Sequence, residues 1–186
     1  MKRFVKSILL VVSATILSAL ALADSYYLTI SLGVDSYSIP TDSIDSLMLT
    51  CDLTAIVSLR ESSKLTYQNI DSVTFTTSAT DTLWITYKGN MATVINPRAD
   101  VYHIKKTYEN ADIFVTIKEN QLQPVISISG ESSDGRLRVD SDVEYTLILD
   151  NVDLKSSHAP AINSTGKQKV KVELPSGTCN RLSDNK

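Results

Sequence analysis

The feature that most constrains the fold of this chain is a repeat between Gly130 and Lys186, with a period of about 25 residues. Shifting the segment on itself by this distance matches Leu137 with Ile162, Leu147 with Val172, Leu149 with Leu174, and Leu154 with Cys179. Short apolar runs at such a period, separated by Gly, Asn, Asp and Ser, are typical of strands that wind and stack in parallel. An antiparallel sandwich with strands of similar length is the alternative that the period leaves open.

Residues 1–23 have the pattern of a secretory signal peptide. They contain three basic residues within the first six positions, continue with an apolar run over residues 7–20, and end in Ala21-Leu22-Ala23. The apolar run is short for a membrane-spanning helix. We therefore predict cleavage after Ala23, no membrane span in the mature chain, and a secreted, periplasmic or cell-surface location.

The composition of the remaining chain excludes one class of partner. Loss of Lys2, Arg3 and Lys6 from 18 basic residues leaves 15 against 21 acidic residues, a formal charge of −6. Nucleic acids attract clustered Lys and Arg, so an acidic chain predicts no nucleic-acid partner. The remaining segment, 24–186, is long enough for one domain of ordinary size. Its abundance of Ser, Thr, Val and Ile favours strands, which predicts an all-β fold.

The two cysteines, Cys51 and Cys179, are far apart in the sequence and neither belongs to a Cys-x-x-Cys motif. Export would permit a disulfide between them. We expect two buried thiols, with a disulfide as the alternative.

A second repeat occupies residues 24–80. Leu28–Leu49 aligns without gaps on Thr54–Phe75, and each copy contains an Ile-Asp-Ser motif, at Ile44 and at Ile70. Each copy predicts three short strands joined by polar turns. The apolar residues expected near one interior are Ile44, Leu47, Leu49, Ile70, Val73 and Phe75. These motifs resemble units that follow the signal peptide in secreted proteins of gut-type anaerobes, which implies export rather than an activity.

The segment from Asp81 predicts a β-hairpin and further strands. Its two arms, residues 82–87 and 91–96, flank a Lys-Gly-Asn turn. Further strands are expected at residues 102–106, 113–118 and 125–129. We place a boundary near Ser78–Asp81, where no Pro/Gly/Ser-rich linker separates the two regions cleanly.

The blocks that follow arrive in a fixed order, which makes them more specific together than singly. They are LILDNVDL at residues 147–154, APAI at 159–162, VKVELPSGT at 170–178 and NRLSD at 180–184. This order, over about Ala111–Asp184, resembles the first coils of a family of bacterial secreted carbohydrate-binding proteins. The resemblance implies a right-handed parallel β-helix. A characterised relative binds cellulose and pectin-type polymers and carries calcium.

This sequence departs from the family pattern at three places. Asn151 stands where the family has Gly, His158-Ala159 replaces a Gly-containing turn, and Cys179 replaces a Thr. Family members also continue for several hundred residues more, so residues 81–186 are expected to be the N-terminal part of such a domain, truncated in the sense that further coils are missing. An uncovered edge at Val170–Leu174 then predicts self-association.

Motifs for catalysis are absent from the sequence, so we expect no enzyme activity. Neither His103 nor His158 lies in a metal-binding pattern, and no nucleophile elbow or phosphate-binding loop is present. A β-helical lyase needs carboxylates and a basic residue from several successive coils, and about two coils are expected here.

Binding of an extended polysaccharide fits the sequence better than catalysis. Aromatic rings that stack on sugars are the usual anchors, and the candidates are Trp84, Tyr87 and Tyr145. Calcium is the candidate cofactor, because it takes several oxygen ligands. The candidate ligands are Asp140, Asp142, Asp150 and Asp153. Each aromatic residue is also an ordinary sheet residue, and each aspartate an ordinary turn residue.

The sequence thus predicts an exported, non-catalytic carbohydrate-binding protein that recognises an extracellular polysaccharide. Two alternatives remain: a structural or adhesin-like surface protein, and a truncated gene product without independent activity.

Overall fold

The computed structural model describes residues 10–12, 26–60, 62–76, 81–107, 109–118 and 123–184. These residues form an all-β protein with two compact units, Met1–Ala79 and Thr80–Lys186. Most of the predicted signal peptide, including the cleavage site after Ala23, lies outside the described residues. In the described part of the chain, no helix has the length and apolar character needed to cross a membrane.

The first unit contains two copies of a three-strand pattern. Its strands are β1 (Leu10–Val12), β2 (Tyr27–Leu32), β3 (Asp35–Pro40), β4 (Ile44–Leu49), β5 (Ala55–Leu59), β6 (Lys64–Tyr67) and β7 (Ser72–Thr76). A single 3₁₀ turn, Thr41–Ser43, precedes β4. The first copy of the repeat forms β2, β3 and β4, and the second forms β5, β6 and β7.

The two copies exchange their third strands. β4 pairs antiparallel with β5, the first strand of the other copy, and β7 pairs antiparallel with β2. Ile44 and Leu47 are buried, in agreement with the expected interior, but Phe75 is 45% exposed. The equivalent apolar positions are therefore not buried equally, because the copies occupy different places in the sheets.

The second unit contains ten strands among its described residues. They are β8 (Thr82–Lys88), β9 (Met91–Asn96), β10 (Tyr102–Lys106), β11 (Ala111–Ile117), β12 (Val125–Ser132), β13 (Gly135–Ser141), β14 (Tyr145–Ser156), β15 (Ile162–Thr165), β16 (Val170–Glu173) and β17 (Arg181–Asp184). β8 and β9 form the predicted hairpin around a turn at Gly89 and Asn90.

From β11 onward the chain alternates between two sheets. In one sheet β8, β12 and β14 pair in parallel, and β16 and β17 both add to β14. In the other, β11, β13 and β15 pair in parallel, with β10 antiparallel to β11. From β12 to β16, short turns connect strands of the two sheets. The sheets remain separate and do not close on one another, so the predicted parallel β-helix is not shown.

The parallel register confirms part of the predicted repeat. Leu137 pairs with Ile162 and Leu147 with Val172, in parallel rather than in the antiparallel order of a sandwich. The predicted match of Leu154 with Cys179 is wrong, because Leu154 pairs with Leu182. The cause is the segment between β16 and β17, which contains three more residues than the stretch of β14 that it passes. The period of the repeat therefore lengthens by three positions along β14.

A β-bulge interrupts the pairing of β12 with β14. Ser129 pairs with Asp150 but Gly130 pairs with Val152, which leaves Asn151 as the extra residue. Asn151 has φ 55°, and among side-chain-bearing residues Asn adopts this left-handed conformation at low cost. This explains how Asn can stand where the family pattern has Gly. Asn151 Oδ1 also accepts a hydrogen bond from the Cys179 amide at 3.1 Å.

The expectation of buried thiols is wrong. Cys51 and Cys179 are both exposed and form no disulfide. Cys179 lies in the turn between β16 and β17, because the register that would have placed it beside Leu154 is not used.

Three buried tyrosines connect strands of the second unit. The Tyr87 hydroxyl donates to the Arg136 carbonyl at 3.1 Å, and the Tyr145 hydroxyl lies 2.9 Å from Ser164 Oγ. The Tyr102 hydroxyl lies 2.9 Å from the Asp81 carbonyl and accepts from the Val125 amide at 2.9 Å. Burial raises the pKa of all three phenols, that of Tyr102 to about 12.

We expect these tyrosines to set the alkaline limit of the second unit. A phenol in the unfolded chain ionises near its pKa of about 10. Because the folded pKa is raised, the stabilisation is complete below the unfolded pKa and is lost as the pH rises through the folded value. Absorbance at 295 nm should show the three buried tyrosines titrating only as the circular dichroism signal is lost. Titration of every tyrosine near the ordinary pKa with the fold intact would contradict this prediction.

Candidate functional site

Alternation along β8 separates the predicted aromatic residues. Leu83, Ile85 and Tyr87 point into the core and are at most 2% exposed, whereas Trp84 points outward and is half-buried. Tyr145 is also 2% exposed. Tyr87 and Tyr145 therefore present no ring to solvent in this structure, and their stacking on sugar stays a prediction. Trp84 is the one ring of the three that a ligand can reach.

The outward side chains of the parallel sheet form rows that cross its strands. Residues paired in register point to the same face, about 4.8 Å apart from strand to strand. The tryptophan row consists of Ile95, Trp84, Ser127, Ile148 and Glu173. The hydroxyl row consists of Thr93, Thr86, Ser129 and Asp150. The charged row consists of Met91, Lys88, Glu131, Asp153 and Arg181.

The three rows make one amphipathic face. Trp84 has the apolar side chains of Ile95 and Ile148 in its own row, and Ile95 is 46% exposed. In the next row Thr86 Oγ1 and Ser129 Oγ are 3.3 Å apart, so these two hydroxyls form a hydrogen bond. A flat face of this kind offers an aromatic platform beside hydroxyl and charged groups.

A cleft of about 280 Å³ lies beside the charged row. It is lined by Gly89, Glu131, Ser132, Ser133, Asp153 and Lys155. These residues come from the turn after β8, the end of β12 and the second half of β14. The Gly89 amide donates to the Glu131 carbonyl at 2.9 Å, which fixes the turn against β12.

Asp153 is the incompletely paired group of the cleft. Its Oδ2 lies 3.9 Å from Arg181 Nη1, a long contact between partly exposed groups. Its Oδ1 is shielded from solvent and has no hydrogen-bond partner among the described residues. A buried acceptor without a donor is costly to the fold. Because Oδ1 is shielded while the side chain is 39% exposed, a ligand can reach Oδ2 rather than Oδ1.

The four aspartates predicted to bind calcium do not come together. Asp140 lies on β13 and accepts from Thr165 Oγ1 at 2.9 Å, while Asp142 is exposed in the following turn. Asp150 and Asp153 lie on β14, in the other sheet, on either side of the bulge. Across the described ranges no three His, Cys, Asp or Glu side chains are grouped to hold a metal ion. The residues present do not fit the calcium site.

A cluster of charged side chains joins β11, β13 and the turn after β14. Asp112, whose side chain is 4% exposed, accepts from Arg136 Nε at 3.0 Å and lies 3.1 Å from His158 Nε2. His158 Nδ1 is 3.3 Å from Asp134 Oδ1. The Ser157 amide and hydroxyl donate to that same oxygen at 2.9 and 2.8 Å. The imidazole thus lies between two carboxylates.

The contacts within the charged cluster indicate a structural role. Hydrogen bonds from Ser157, with the nearby His158, hold the pKa of Asp134 below its usual value. The Ser157 hydroxyl donates to Asp134, so its proton is not directed to the imidazole as a nucleophile would require. Sequence reasoning missed this cluster. The parallel offset between β11 and β13, which pairs Asp112 with Arg136, is the signal that could have found it.

The comparisons with known proteins bear on the second unit. Residues 111–186 match the model of a family described as "Carbohydrate-binding domain-containing protein". The match covers less than half of the chain and supports a carbohydrate-binding role. It includes Glu131, Asp153 and Lys155 of the cleft and leaves Trp84 outside. Neither the curated proteins nor the solved structures contain a match to this chain.

Proposed function

We propose that this chain is an exported, non-catalytic protein whose second unit binds an extracellular polysaccharide on the outward face of its parallel sheet. The observation that carries the proposal is the register that places Trp84 between Ile95 and Ser127, beside the hydroxyl row. Extended polymers suit a flat face, since each sugar ring presents an apolar side to an aromatic plane and hydroxyls to polar groups. The family match to residues 111–186 supports the same ligand class.

We also propose that the parallel strands are the first coils of a right-handed parallel β-helix. The alternation of β11 to β15 between two parallel sheets supports this arrangement. An ordinary parallel sheet is covered on both faces, whereas a stacked coil keeps one face of each sheet polar and exposed. Export is supported by the sequence of residues 1–23. N-terminal sequencing of the mature protein should begin at Asp24.

Replacing Trp84 with Ala should weaken polysaccharide binding at least about tenfold, because it removes a central aromatic anchor worth more than about 1.4 kcal/mol. Trp84 is the only tryptophan in the sequence, so its fluorescence reports ligand contact directly. Residues 24–186 would be titrated with soluble glucan, mannan, xylan and polygalacturonate, with affinity electrophoresis as the second measurement.

The control for this experiment is Phe75→Ala, which removes an exposed aromatic ring from the other unit. It should bind as the unchanged protein does. The proposal would be overturned if Trp84→Ala bound polymers as tightly as the unchanged protein. It would also be overturned if no polymer changed the fluorescence of the unchanged protein. The same incubations should release no reducing ends, since a non-catalytic protein leaves the polymer intact.

The open edge of the sheet supports a second proposal, self-association. β16 and β17 pair only with β14 among the described strands, and their apolar residues are exposed. Val172 is 54% exposed although its partner Leu147 is 3% exposed, and Leu182 is 44% exposed beside the fully buried Leu154. Exposed apolar edge strands pair readily with other chains.

Replacing Val172 with Lys should suppress this association, because a charge on an edge strand opposes pairing with a second edge. Sedimentation velocity of residues 24–186 should show larger species that grow with concentration and are lost in the variant. The matched variant Glu173→Lys introduces the same side chain at a neighbouring position that is already charged. It tests whether an added positive charge alone suppresses the association. A monomeric unchanged protein at all concentrations would contradict the prediction.

A further inference from the structure

We propose that the cleft beside the charged row is a separate binding site for one neutral sugar unit, with Glu131 and Asp153 accepting hydrogen bonds from its hydroxyl groups. This inference rests on the proposed function and names the ligand class of a second site on the same face. It concerns different residues from the tryptophan row.

The size and position of the cleft favour a single ring. Its volume of about 280 Å³ is near the lower end of the roughly 300–1,000 Å³ typical of ligand sites. Gly89, at the turn after β8, leaves one wall without a side chain.

The hydrogen-bonding groups of the cleft are mainly acceptors. Glu131 and Asp153 are paired in register on neighbouring strands, so their side chains share the outward face. Asp153 Oδ1 is shielded from solvent, whereas Oδ2 has only the long contact with Arg181 Nη1, at 3.9 Å. Sugar hydroxyls are donors, and hydrogen bonds from hydroxyl to carboxylate are charge-assisted and strong. A hydroxyl-rich ring can therefore donate to Glu131 and to the accessible Oδ2 of Asp153.

The charge of the lining selects against acidic sugars. Among the described residues that line the cleft, Glu131 and Asp153 outnumber the one cation, Lys155, so the lining has a formal charge of −1. A uronate would bring a third carboxylate beside the first two, and like charges at short range disfavour binding. Lys155 and Ser133 remain to donate to ring or hydroxyl oxygens. A neutral sugar can donate to the carboxylates and accept from Lys155 and Ser133 without adding a charge.

The test uses residues 24–186 and disaccharides too short to need the whole face. Cellobiose, mannobiose and xylobiose serve as neutral probes and digalacturonate as the acidic probe, titrated by calorimetry and by ¹⁵N chemical shifts. Asp153→Asn and Glu131→Gln should each weaken binding of the best neutral probe at least tenfold. Glu144→Gln, which removes an exposed carboxylate from a turn of the same unit, should change binding less than twofold.

The outcomes separate this inference from the proposed function. Digalacturonate should bind at least tenfold more weakly than the neutral probe, and Asp153→Asn should narrow that difference. If the cleft variants bind neutral disaccharides as the unchanged protein does, while polymer binding still depends on Trp84, the cleft inference is overturned and the proposed function stands. Failure of all three neutral probes to bind overturns the cleft inference whether or not polymers bind.

Discussion

Replacing Gly130 with Ala should destabilise the second unit by about 3–5 kcal/mol, combining backbone strain with overpacking. Gly130 has φ 82°, in the region that glycine adopts freely. A Cβ at this position would lie 2.1 Å from the Tyr87 carbonyl oxygen, on the neighbouring strand β8. The collision involves backbone on both sides, so it can be relieved only by separating β8 from β12.

The matched control is Gly89→Ala. Gly89 has φ 61° but a Cβ there would have no atom within 4 Å, so only the conformational cost of about 1–2 kcal/mol applies. Urea unfolding followed by Trp84 fluorescence reports on the second unit alone, because no other tryptophan is present. Equal unfolding midpoints for the two variants would show that the close approach of β8 and β12 does not limit stability.

Replacing Arg136 with Ala should cost about 3–5 kcal/mol, because it removes the closest cation from a buried carboxylate. Asp112 is 4% exposed, and its Oδ1 already has no partner among the described residues. The guanidinium also lies 5.0 Å from the centre of the Phe114 ring, so its loss leaves that ring uncovered. His158 Nε2, 3.1 Å from Asp112 Oδ2, would remain beside the carboxylate in the described cluster.

Arg138→Ala is the control, since Arg138 lies on the same strand but is exposed and its loss should change stability little. Asp112→Asn combined with Arg136→Ala should recover part of the loss, because the uncompensated charge is then absent. A double-mutant cycle on the urea midpoints measures the coupling between the two side chains. Additive effects would mean that the pair does not stabilise the fold as a unit.

The sequence predicted the fold where apolar positions alone decide the register. The period of the repeat anticipated the pairing of Leu137 with Ile162 and of Leu147 with Val172. It failed at Leu154, because a polar turn can absorb extra residues without changing the core on either side. The hydrophobic period therefore predicts which strands stack, whereas turn length decides how far each register extends.

The candidate site was predicted less completely, for reasons of geometry. Trp84 and Tyr87 differ by an odd number of positions on one strand, so alternation places only one of them outside. Which face is outside depends on the opposing sheet, and that sheet buries Tyr87. The pairing of Glu131 with Asp153 was hidden by the bulge, which shifts the register after Ser129 by one residue.

The rows on the outward face repeat with the strands that carry them. Each further parallel strand of this kind would add one side chain to every row and lengthen the face by about 4.8 Å, leaving the existing contacts unchanged. A tract of polymer bound along the rows would then engage more units at once, and its affinity would grow through multivalency rather than through new chemistry. Duplication of a single coil is thus a simple genetic route by which such a face can adjust to longer or weaker-binding polymers.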